Sequence, residues 1–346
     1  MKKLLFTCFF LVLIVGGIAA WLILGSGTAF KEKNKYFVIE QGKTDKASVL
    51  EMLEKKYIIK NTTAFSLIAS QAGVWEKIKP GKYEVKNGQS LLSIAKMLKN
   101  NKQAEMKLVI NKLRTKEDFA KLIAKNFIHD SATVMTFLTS NDSLKDYNVD
   151  TNTVFTLLIP ATYNFYWGTP LRKIFNKLDE AHNAFWNQDR LSKAKSIGFT
   201  PEEVCTIASI VEEETNNNAE KGNIASVYIN RYHKGMALGA DPTVKYALKD
   251  FSLKRILYVH LNVVSPYNTY RNKGLPPGPI CTPSQESIDA VLNVPQTDYL
   301  YFVANFGTGD HHFSSNFAEH IQYAKEYQRK LDEYLAKKQA GATTEE

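Results

Sequence analysis

The stretch FTPEEVCTIASIVEEET, residues 199–215, begins as a well-capped helix and ends in three consecutive glutamates. Thr200 suits the N-cap, a proline follows at the first helical position, and Glu203 stands three residues after the cap, as in a capping box. Apolar residues then recur at helical spacing from Val204 to Val211, which predicts a buried face. The stretch therefore predicts an amphipathic helix that ends in carboxylates.

The three glutamates fall at different angles around this helix. At about 100° per residue, Glu213 lies opposite the buried face and is expected to face solvent, whereas Glu212 and Glu214 lie on its two flanks. Negative charge at a helix C-terminus opposes the helix dipole, so these residues are not placed for helix stability. A carboxylate at the edge of an apolar face has a raised pKa, which suits a general acid. The spacing alone leaves Glu212 and Glu214 as alternatives for that acid.

The composition limits the class of protein. The 346 residues are 44% hydrophobic, enough for two domains with buried cores. The 44 Lys and Arg and 35 Asp and Glu give a net charge of +9, but the basic residues are spread along the chain. Because a nucleic-acid binder needs a basic stripe and a reading motif, we predict no nucleic-acid partner.

Cys8, Cys205 and Cys281 lack the spacing of a disulfide framework or zinc site, and we expect Cys205 and Cys281 to be buried.

The N-terminus predicts a membrane anchor. Residues 4–24 carry no charge, and at about 1.5 Å per residue they can cross a bilayer core of about 30 Å. Lys2 and Lys3 favour a cytoplasmic N-terminus, which predicts a single-pass protein of the inner (cytoplasmic) membrane with the later residues on the periplasmic, extracytoplasmic side. A cleaved signal peptide is the alternative, but the apolar run exceeds the usual length of about 7 to 15 residues.

The remaining pattern predicts an α+β fold. Residues 36–98 read as strand, helix, helix, strand and helix, with an Asn-Gly turn before the last helix. Residues 130–198 read as mainly helical, and a long amphipathic helix precedes the C-terminus.

Several spaced motifs in the second half resemble one known family. ASIVEEET, ASVYINR, DPTVKYAL, YNTYRNKGLPPGPICTPS and YLYFVANFGTGDHHFSSN occur in the order found in the MltG, or YceG-like, family of membrane-anchored endolytic transglycosylases, which cleave peptidoglycan. KPGKYEVKNGQSLLSIAKML resembles the LysM-like domain of that family. The resemblance implies a cytoplasmic stub and transmembrane anchor (residues 1–27), a spacer and LysM-like domain (28–112), a larger α+β catalytic domain (113–338) and a disordered tail (339–346).

The resemblance also implies the site residues. The catalytic acid of the family is the second glutamate of an E-x-E-T motif, which falls on Glu214. The residues that would line the saccharide groove are Asn230, Arg231, Asp241, Thr243, Tyr267, Asn268, Thr269, Tyr270 and His311. This chain has Glu213 where lysine is common, and PATY where PDTY is common. His312 stands beside His311, so either imidazole is a candidate for the groove.

The function implied by the resemblance is cleavage of the MurNAc–GlcNAc β-1,4 bond with Glu214 as acid and then base, which leaves 1,6-anhydroMurNAc ends and needs no metal or cofactor. Peptidoglycan strands would be the substrate, with cell-wall synthases as neighbours. Two alternatives are a non-catalytic peptidoglycan-binding scaffold and a hydrolytic muramidase that uses Glu212 or Asp241 as a second carboxylate. Arg231 and Asp241 have an alternative structural role as a mutual ion pair.

Overall fold

The computed structural model describes residues 23–342 and, nearer the N-terminus, positions 6, 9, 10, 13, 14, 16, 17 and 21. The predicted membrane span, residues 4–24, therefore lies mostly outside the described residues, as does Cys8. Within the part of the chain that is described, no helix is both long and apolar enough to cross a bilayer.

The chain forms two compact units. The N-terminal unit comprises Met1–Leu108, Ala124–His129 and Asn164–Pro170, and the C-terminal unit comprises Val109–Ile123, Asp130–Tyr163 and Leu171–Glu346. The first division, at Leu108, lies close to the boundary predicted at residue 112, whereas the two later segments of the N-terminal unit were not predicted.

Between residues 34 and 99 the N-terminal unit forms an antiparallel strand pair and three helices. Its elements are β1 (Asn34–Ile39), α1 (Lys46–Lys55), α2 (Thr62–Gln71), β2 (Gly81–Lys86) and α3 (Leu91–Lys99). Phe37 of β1 lies opposite Tyr83 of β2, and both side chains are buried in the core. Gly88, at a φ of 82°, makes the turn into α3, because glycine adopts that conformation without strain. The predicted order of strands and helices is confirmed; the LysM-like character stays a prediction.

Strands β3 (Glu105–Val109) and β4 (Thr162–Tyr166) form a second two-stranded sheet.

The C-terminal unit is mainly helical, with one β-hairpin. Its helices are α4 (Lys116–Asn126, which ends in the N-terminal unit), α5 (Ser131–Leu138), α6 (Asn141–Leu144), α7 (Leu171–Phe185), α8 (Gln188–Ser196), α9 (Pro201–Glu214), α10 (Lys221–His233), α11 (Asp241–Leu248), α12 (Gln285–Leu292) and α13 (Phe317–Ala342). The hairpin pairs β5 (Tyr301–Ala304) with β6 (His311–Ser314). The mixed α+β prediction is confirmed. Helix α13 continues to Ala342, beyond the start of the predicted tail at residue 339, and residues 343–346 lie outside the described part.

Helix α9 lies at the centre of the C-terminal unit. Every residue from Val204 to Val211 is buried, so the helix is covered on more sides than its apolar pattern predicts. It packs against α10, α11 and α12. Cys205 and Cys281 are both buried and free, as predicted.

A buried serine links α9 to the loop before α12. The Ser209 hydroxyl donates to the Thr206 carbonyl (2.7 Å) and accepts from the Ile280 backbone amide (3.0 Å). A polar group that loses its partner in such a place is costly, because water cannot replace the partner. Ser209 therefore helps to hold the loop against the helix.

We expect Ser209→Ala to lower the free energy of unfolding by about 1–3 kcal/mol, because the Ile280 amide loses its acceptor. Urea unfolding of the full chain measures the loss. The control is Ser196→Ala, which removes an exposed hydroxyl bonded within its own helix. Equal midpoints for the two variants would contradict the role assigned to Ser209.

Candidate active site

Each unit contains a large cavity. The cavity of the N-terminal unit has a volume of about 940 Å³, and its lining, all within the described residues, includes no aromatic side chain. The cleft of the C-terminal unit has a volume of about 840 Å³ and is lined by aromatic, basic and acidic side chains, among them Glu214, Tyr228, Arg231, Asp241, Tyr270 and His320. Sugars stack on aromatic faces, and this cleft contains the end of the three-glutamate helix. It is the candidate active site.

The local sequence places Glu214 as the last residue of α9. Thr200 and Glu203 form the predicted capping box, with hydrogen bonds of 3.3 and 2.9 Å between side chain and backbone amide. At the other end Thr215 has an extended backbone (φ −145°, ψ 143°), which stops the helix directly after Glu214. The cap thus fixes the start of the helix and Thr215 fixes its end.

Glu212 is held in a structural contact. Its Oε2 accepts hydrogen bonds from the hydroxyls of Ser284 and Ser287, both at 2.5 Å, and from Lys221 Nζ at 3.2 Å. Burial raises the pKa of Glu212, but these hydrogen bonds and the charge of Lys221 outweigh burial and hold the pKa below its usual value. Glu212 is therefore an ionised residue that ties α9 to the start of α12, and it does not line the cleft.

Glu213 does not face open solvent, so this prediction was wrong. Its two carboxylate oxygens accept from Nε and Nη2 of Arg114, both at 2.9 Å, and Lys112 Nζ lies 3.0 Å from Oε1. The side chain is 13% exposed. The helical wheel placed Glu213 away from the apolar face, but residues 112 and 114 cover that side of the helix.

Glu214 lies at the wall of the cleft, partly buried, with one firm partner. The hydroxyl of Tyr228, on α10, donates to Glu214 Oε1 at 2.5 Å. Tyr228 itself is 2% exposed. Burial, and to a lesser degree the nearby Glu214 carboxyl, raises the pKa of Tyr228 well above its usual value, so the hydroxyl keeps its proton and remains a donor. Glu214 Oε2 has no protein donor among the described residues.

The surroundings keep a substantial fraction of the Glu214 carboxyl neutral near pH 7. Burial is the main cause and raises the pKa of Glu214 from 4.5 to about 7. The negative charges of Asp241 and Glu213 add to this rise, while the Tyr228 hydrogen bond and the charge of Lys245 oppose it. A carboxyl that gains and loses a proton near neutral pH suits general acid–base chemistry.

Asp241 and Tyr270 form a second polar pair in the cleft. Asp241 is the first residue of α11, and Ala240 before it is the N-cap. The Asp241 carboxylate accepts a hydrogen bond from the Tyr270 hydroxyl at 2.6 Å. Arg231 also lines the cleft but donates to the carbonyls of Leu300 and Leu238, both at 2.6 Å. In the described structure Arg231 and Asp241 thus use other partners, and the mutual ion pair considered from the sequence is not formed.

Gly239 lets these side chains approach one another. It has a φ of 60°, and a Cβ atom built on it would lie 3.3 Å from Arg231 Nη1 and 3.6 Å from the Tyr270 ring. A side chain at this position would therefore strain the backbone and crowd both cleft residues.

Four of the proposed groove residues have their side-chain polar groups hydrogen-bonded within the protein. Asn230 donates to the carbonyls of Thr297 and Tyr299, and Asn268 donates to those of Leu261 and Val263. The hydroxyls of Thr243 and Thr269 lie 2.8 Å apart, and both residues are almost completely buried. Asn268, Thr243 and Thr269 thus hold the loop that carries Tyr270, whereas Asn230 holds the segment before β5.

Tyr267, His311 and His312 do not line the cleft, although His311 packs edge-on against the lining residue Phe302, with ring centroids 5.4 Å apart. Tyr267 packs on Tyr246, with ring centroids 4.6 Å apart, beside a separate cavity of about 360 Å³. His311 contacts Glu220 through its backbone amide (2.6 Å) and through Nδ1 (3.2 Å). His312 stacks on Tyr323 at 4.5 Å. Of the candidate residues, the structure brings Glu214, Arg231, Asp241 and Tyr270 together in one cleft.

Comparison with known proteins identifies the family. The family model described as the YceG-like family matches residues 37–326. The chain belongs to the YceG-like family. The resemblance recognised in the sequence motifs is therefore confirmed.

Relatives within the YceG-like family carry a functional name. A Bacillus subtilis protein named endolytic murein transglycosylase is 30% identical over 297 residues, which cover 81% of each chain. A Streptococcus pneumoniae protein of the same name is 32% identical over 174 residues, which cover 49% of this chain and 31% of that relative. A crystal structure of a yceG-like protein from Listeria monocytogenes matches with a TM-score of 0.56 and 31% identity, covering 84% of this chain and 99% of the other.

The cleft of this YceG-like chain also contains residues that sequence reasoning missed. These are Tyr228, Lys234, Met236, Lys273, Tyr301, Phe302 and His320. Tyr228 lies three residues before Arg231 on α10, so helical spacing within ASVYINR was a usable signal for it. His320 stacks on Tyr301 at 5.2 Å and comes from the distant helix α13, which no local pattern connects to Glu214. No group of three or more His, Cys, Asp and Glu side chains in the described residues is arranged to hold a metal ion.

We expect two variants to move the pKa of Glu214 in opposite directions. Tyr228→Phe removes a hydrogen bond that favours the carboxylate, so the pKa should rise, whereas Asp241→Asn removes a nearby negative charge, so it should fall. Carbon-13 NMR titration of labelled glutamate, with the signal assigned by its loss in Glu214→Gln, measures both shifts. Shifts of the same sign in the two variants would contradict this electrostatic description.

Glu214 should also make stability depend on pH. Because its folded pKa of about 7 exceeds the ordinary 4.5, the neutral carboxyl contributes stability that is complete below pH 4.5 and is lost as the pH rises through 7. Glu214→Gln stays neutral, so we expect it to exceed the parent protein in unfolding free energy by roughly 1–3 kcal/mol at about pH 8. Urea unfolding at several pH values tests this, with exposed Glu180→Gln as the control, which should show no such trend.

Proposed function

We propose that this protein is an endolytic peptidoglycan transglycosylase that cleaves the MurNAc–GlcNAc β-1,4 bond within glycan strands and leaves 1,6-anhydroMurNAc ends. The observation that carries the proposal is the partly buried Glu214 carboxyl, with a pKa of about 7, at the wall of a cleft lined by aromatic and basic side chains. The names of the relatives from Bacillus subtilis and Streptococcus pneumoniae support the same substrate and reaction.

Glu214 supplies the proton for bond cleavage. The neutral carboxyl protonates the oxygen that bridges MurNAc C1 and GlcNAc C4, so GlcNAc leaves with a neutral hydroxyl and positive charge develops at C1. Tyr228 holds Oε1, which leaves Oε2 to carry the proton toward the substrate. The hydrogen bond from Tyr228 also stabilises the carboxylate that forms when the proton leaves.

The same carboxylate then completes the reaction. The C6 hydroxyl of MurNAc attacks C1, and Glu214 accepts the hydroxyl proton, which restores the neutral acid. The nucleophile belongs to the reacting ring, and aligned intramolecular attack reaches effective molarities of about 10⁵ M or more. One carboxyl group therefore suffices, and no water needs to be activated.

A hydrolytic muramidase is the second candidate function, because Asp241 is a further carboxylate in the cleft. A hydrolase requires a second carboxylate to act as nucleophile or to activate water. Glu212 is a poor candidate for that role, because its carboxylate is already hydrogen-bonded to Ser284, Ser287 and Lys221. Burying a carboxyl group costs free energy, and a protein that only binds peptidoglycan gains nothing from it. We therefore favour an enzyme over the non-catalytic scaffold.

We place the enzyme at the membrane surface. Residues 4–24 would anchor it in the inner membrane with the cleft on the periplasmic side, where peptidoglycan lies. The N-terminal unit, with its LysM-like sequence, would hold the glycan strand.

We expect Glu214→Gln to lower the release of anhydro-ended fragments from purified peptidoglycan by at least about 10³-fold, because it removes the proton donor. Mass spectrometry of the fragments measures this: a transglycosylase product is lighter by one water than a hydrolase product. The control is Glu180→Gln, a surface variant that should retain full activity, and circular dichroism checks the fold of both.

The three functions give different results. Anhydro ends that disappear in Glu214→Gln support the proposal, reducing MurNAc ends from the parent protein indicate the muramidase, and retention of glycan without new ends indicates the scaffold. Unchanged turnover in Glu214→Gln would refute the assignment of the acid.

A further inference from the structure

The cleft that contains Glu214 carries an excess of positive charge. Arg231, Lys234 and Lys273 line it, against the carboxyl groups of Glu214 and Asp241. Because the pKa of Glu214 is raised to about 7, this carboxyl is neutral in the form that starts the reaction. Arg231, Lys234 and Lys273 then line the cleft against the single negative charge of Asp241, which makes the cleft electropositive.

Two of these cations are free to bind a ligand. Arg231 is occupied by two backbone carbonyls and lies over the Tyr301 ring at 5.2 Å. Lys234 and Lys273 are exposed at the cleft, and neither has an ion pair or a side-chain hydrogen bond within the described part of the chain. Lys234 follows α10 directly, and Lys273 precedes the Gly-Leu-Pro-Pro-Gly-Pro loop, so two separate segments bring lysines to one cleft.

The sugar rings of the proposed substrate do not account for these lysines. The rings present hydroxyl and acetamido groups, which are neutral. Carboxylates occur on the substituent at C3 of MurNAc, where a lactyl group carries the stem peptide, and the peptide bears several carboxylates of its own. Lysine recognises such groups as a point charge on a flexible stem.

We infer that Lys234 and Lys273 bind carboxylates of the stem peptide, so that the enzyme acts on peptide-bearing strands in preference to strands from which the peptides have been removed. This inference rests on the proposed function, since it assigns the ligand of the same cleft. Both lysines are specificity residues: they hold the substituent beside the reacting bond and take no part in proton transfer.

The size of the preference follows from the exposure of the lysines. Two solvent-exposed charge pairs strengthen binding by about 3- to 10-fold together, and salt screens them. The effect should appear in KM and in the dissociation constant, with kcat unchanged, because the contacts are the same before and during bond cleavage.

The experiment compares uncross-linked strands that carry stem peptides with the same strands stripped by an amidase, which retain the lactyl carboxylate. The double variant Lys234→Gln/Lys273→Gln is measured beside a control, Lys254→Gln/Lys325→Gln, which removes two exposed lysines outside the cleft and changes the net charge equally. KM and kcat are measured for both substrates, and dissociation constants are measured in the Glu214→Gln background, where no turnover is needed.

We expect the parent protein and the control to bind peptide-bearing strands about 3- to 10-fold more tightly than stripped strands, and about 0.5 M salt to remove most of this preference. The cleft double variant should treat both substrates alike. No preference in the parent protein would overturn the inference. An equal loss of affinity for both substrates would also overturn it, since the lysines would then bind the lactyl carboxylate or the sugars. Because binding is measured without turnover, an enzyme that releases no anhydro ends would refute the proposed function and leave the test of stem-peptide binding intact.

Discussion

The burial of one carboxyl group against one tyrosine is the constraint on which the site depends. Glu214 ends the central helix of the C-terminal unit, and Tyr228 donates to one of its oxygens while the surrounding protein removes most of the water. A carboxylate in that place would be poorly solvated, so the neutral acid is favoured. The hydrogen bond from Tyr228 limits the rise in the pKa of Glu214, so the carboxyl can still release its proton near neutral pH.

The three consecutive glutamates show how a helix separates identical side chains. The turn of about 100° per residue directs Glu212 to the serines of α12, Glu213 to Arg114 and Glu214 to the cleft. Glu212 and Glu213 are held by hydrogen bonds and by positively charged side chains, and these contacts anchor the end of the helix that carries Glu214. The placement of the acid therefore depends on neighbours that take no part in the chemistry.

Local patterns in the sequence predicted local structure well. The spacing of neighbouring residues predicted the capping box and buried face of α9 and the order of elements in the N-terminal unit. The turn of about 100° per residue also placed Glu212 and Glu214 on the flanks of the helix. Arg114 precedes Glu213 by 99 residues, and no periodic pattern reports a contact over that distance, so Glu213 was misplaced. The motif resemblance supplied Asp241 and Tyr270, but it did not distinguish residues that line the cleft from buried supports such as Asn268, because both are equally constrained by the fold.

The cleft is assembled from segments that follow Glu214 in the chain, ending with His320 on the last helix. During synthesis from the N-terminus, Glu214 is added to the chain before Tyr228, Asp241 and His320, which line the cleft with it. A chain that lacks α13 lacks His320 from the cleft, so the complete lining forms only after this last helix has been synthesised and has packed on the β5–β6 hairpin.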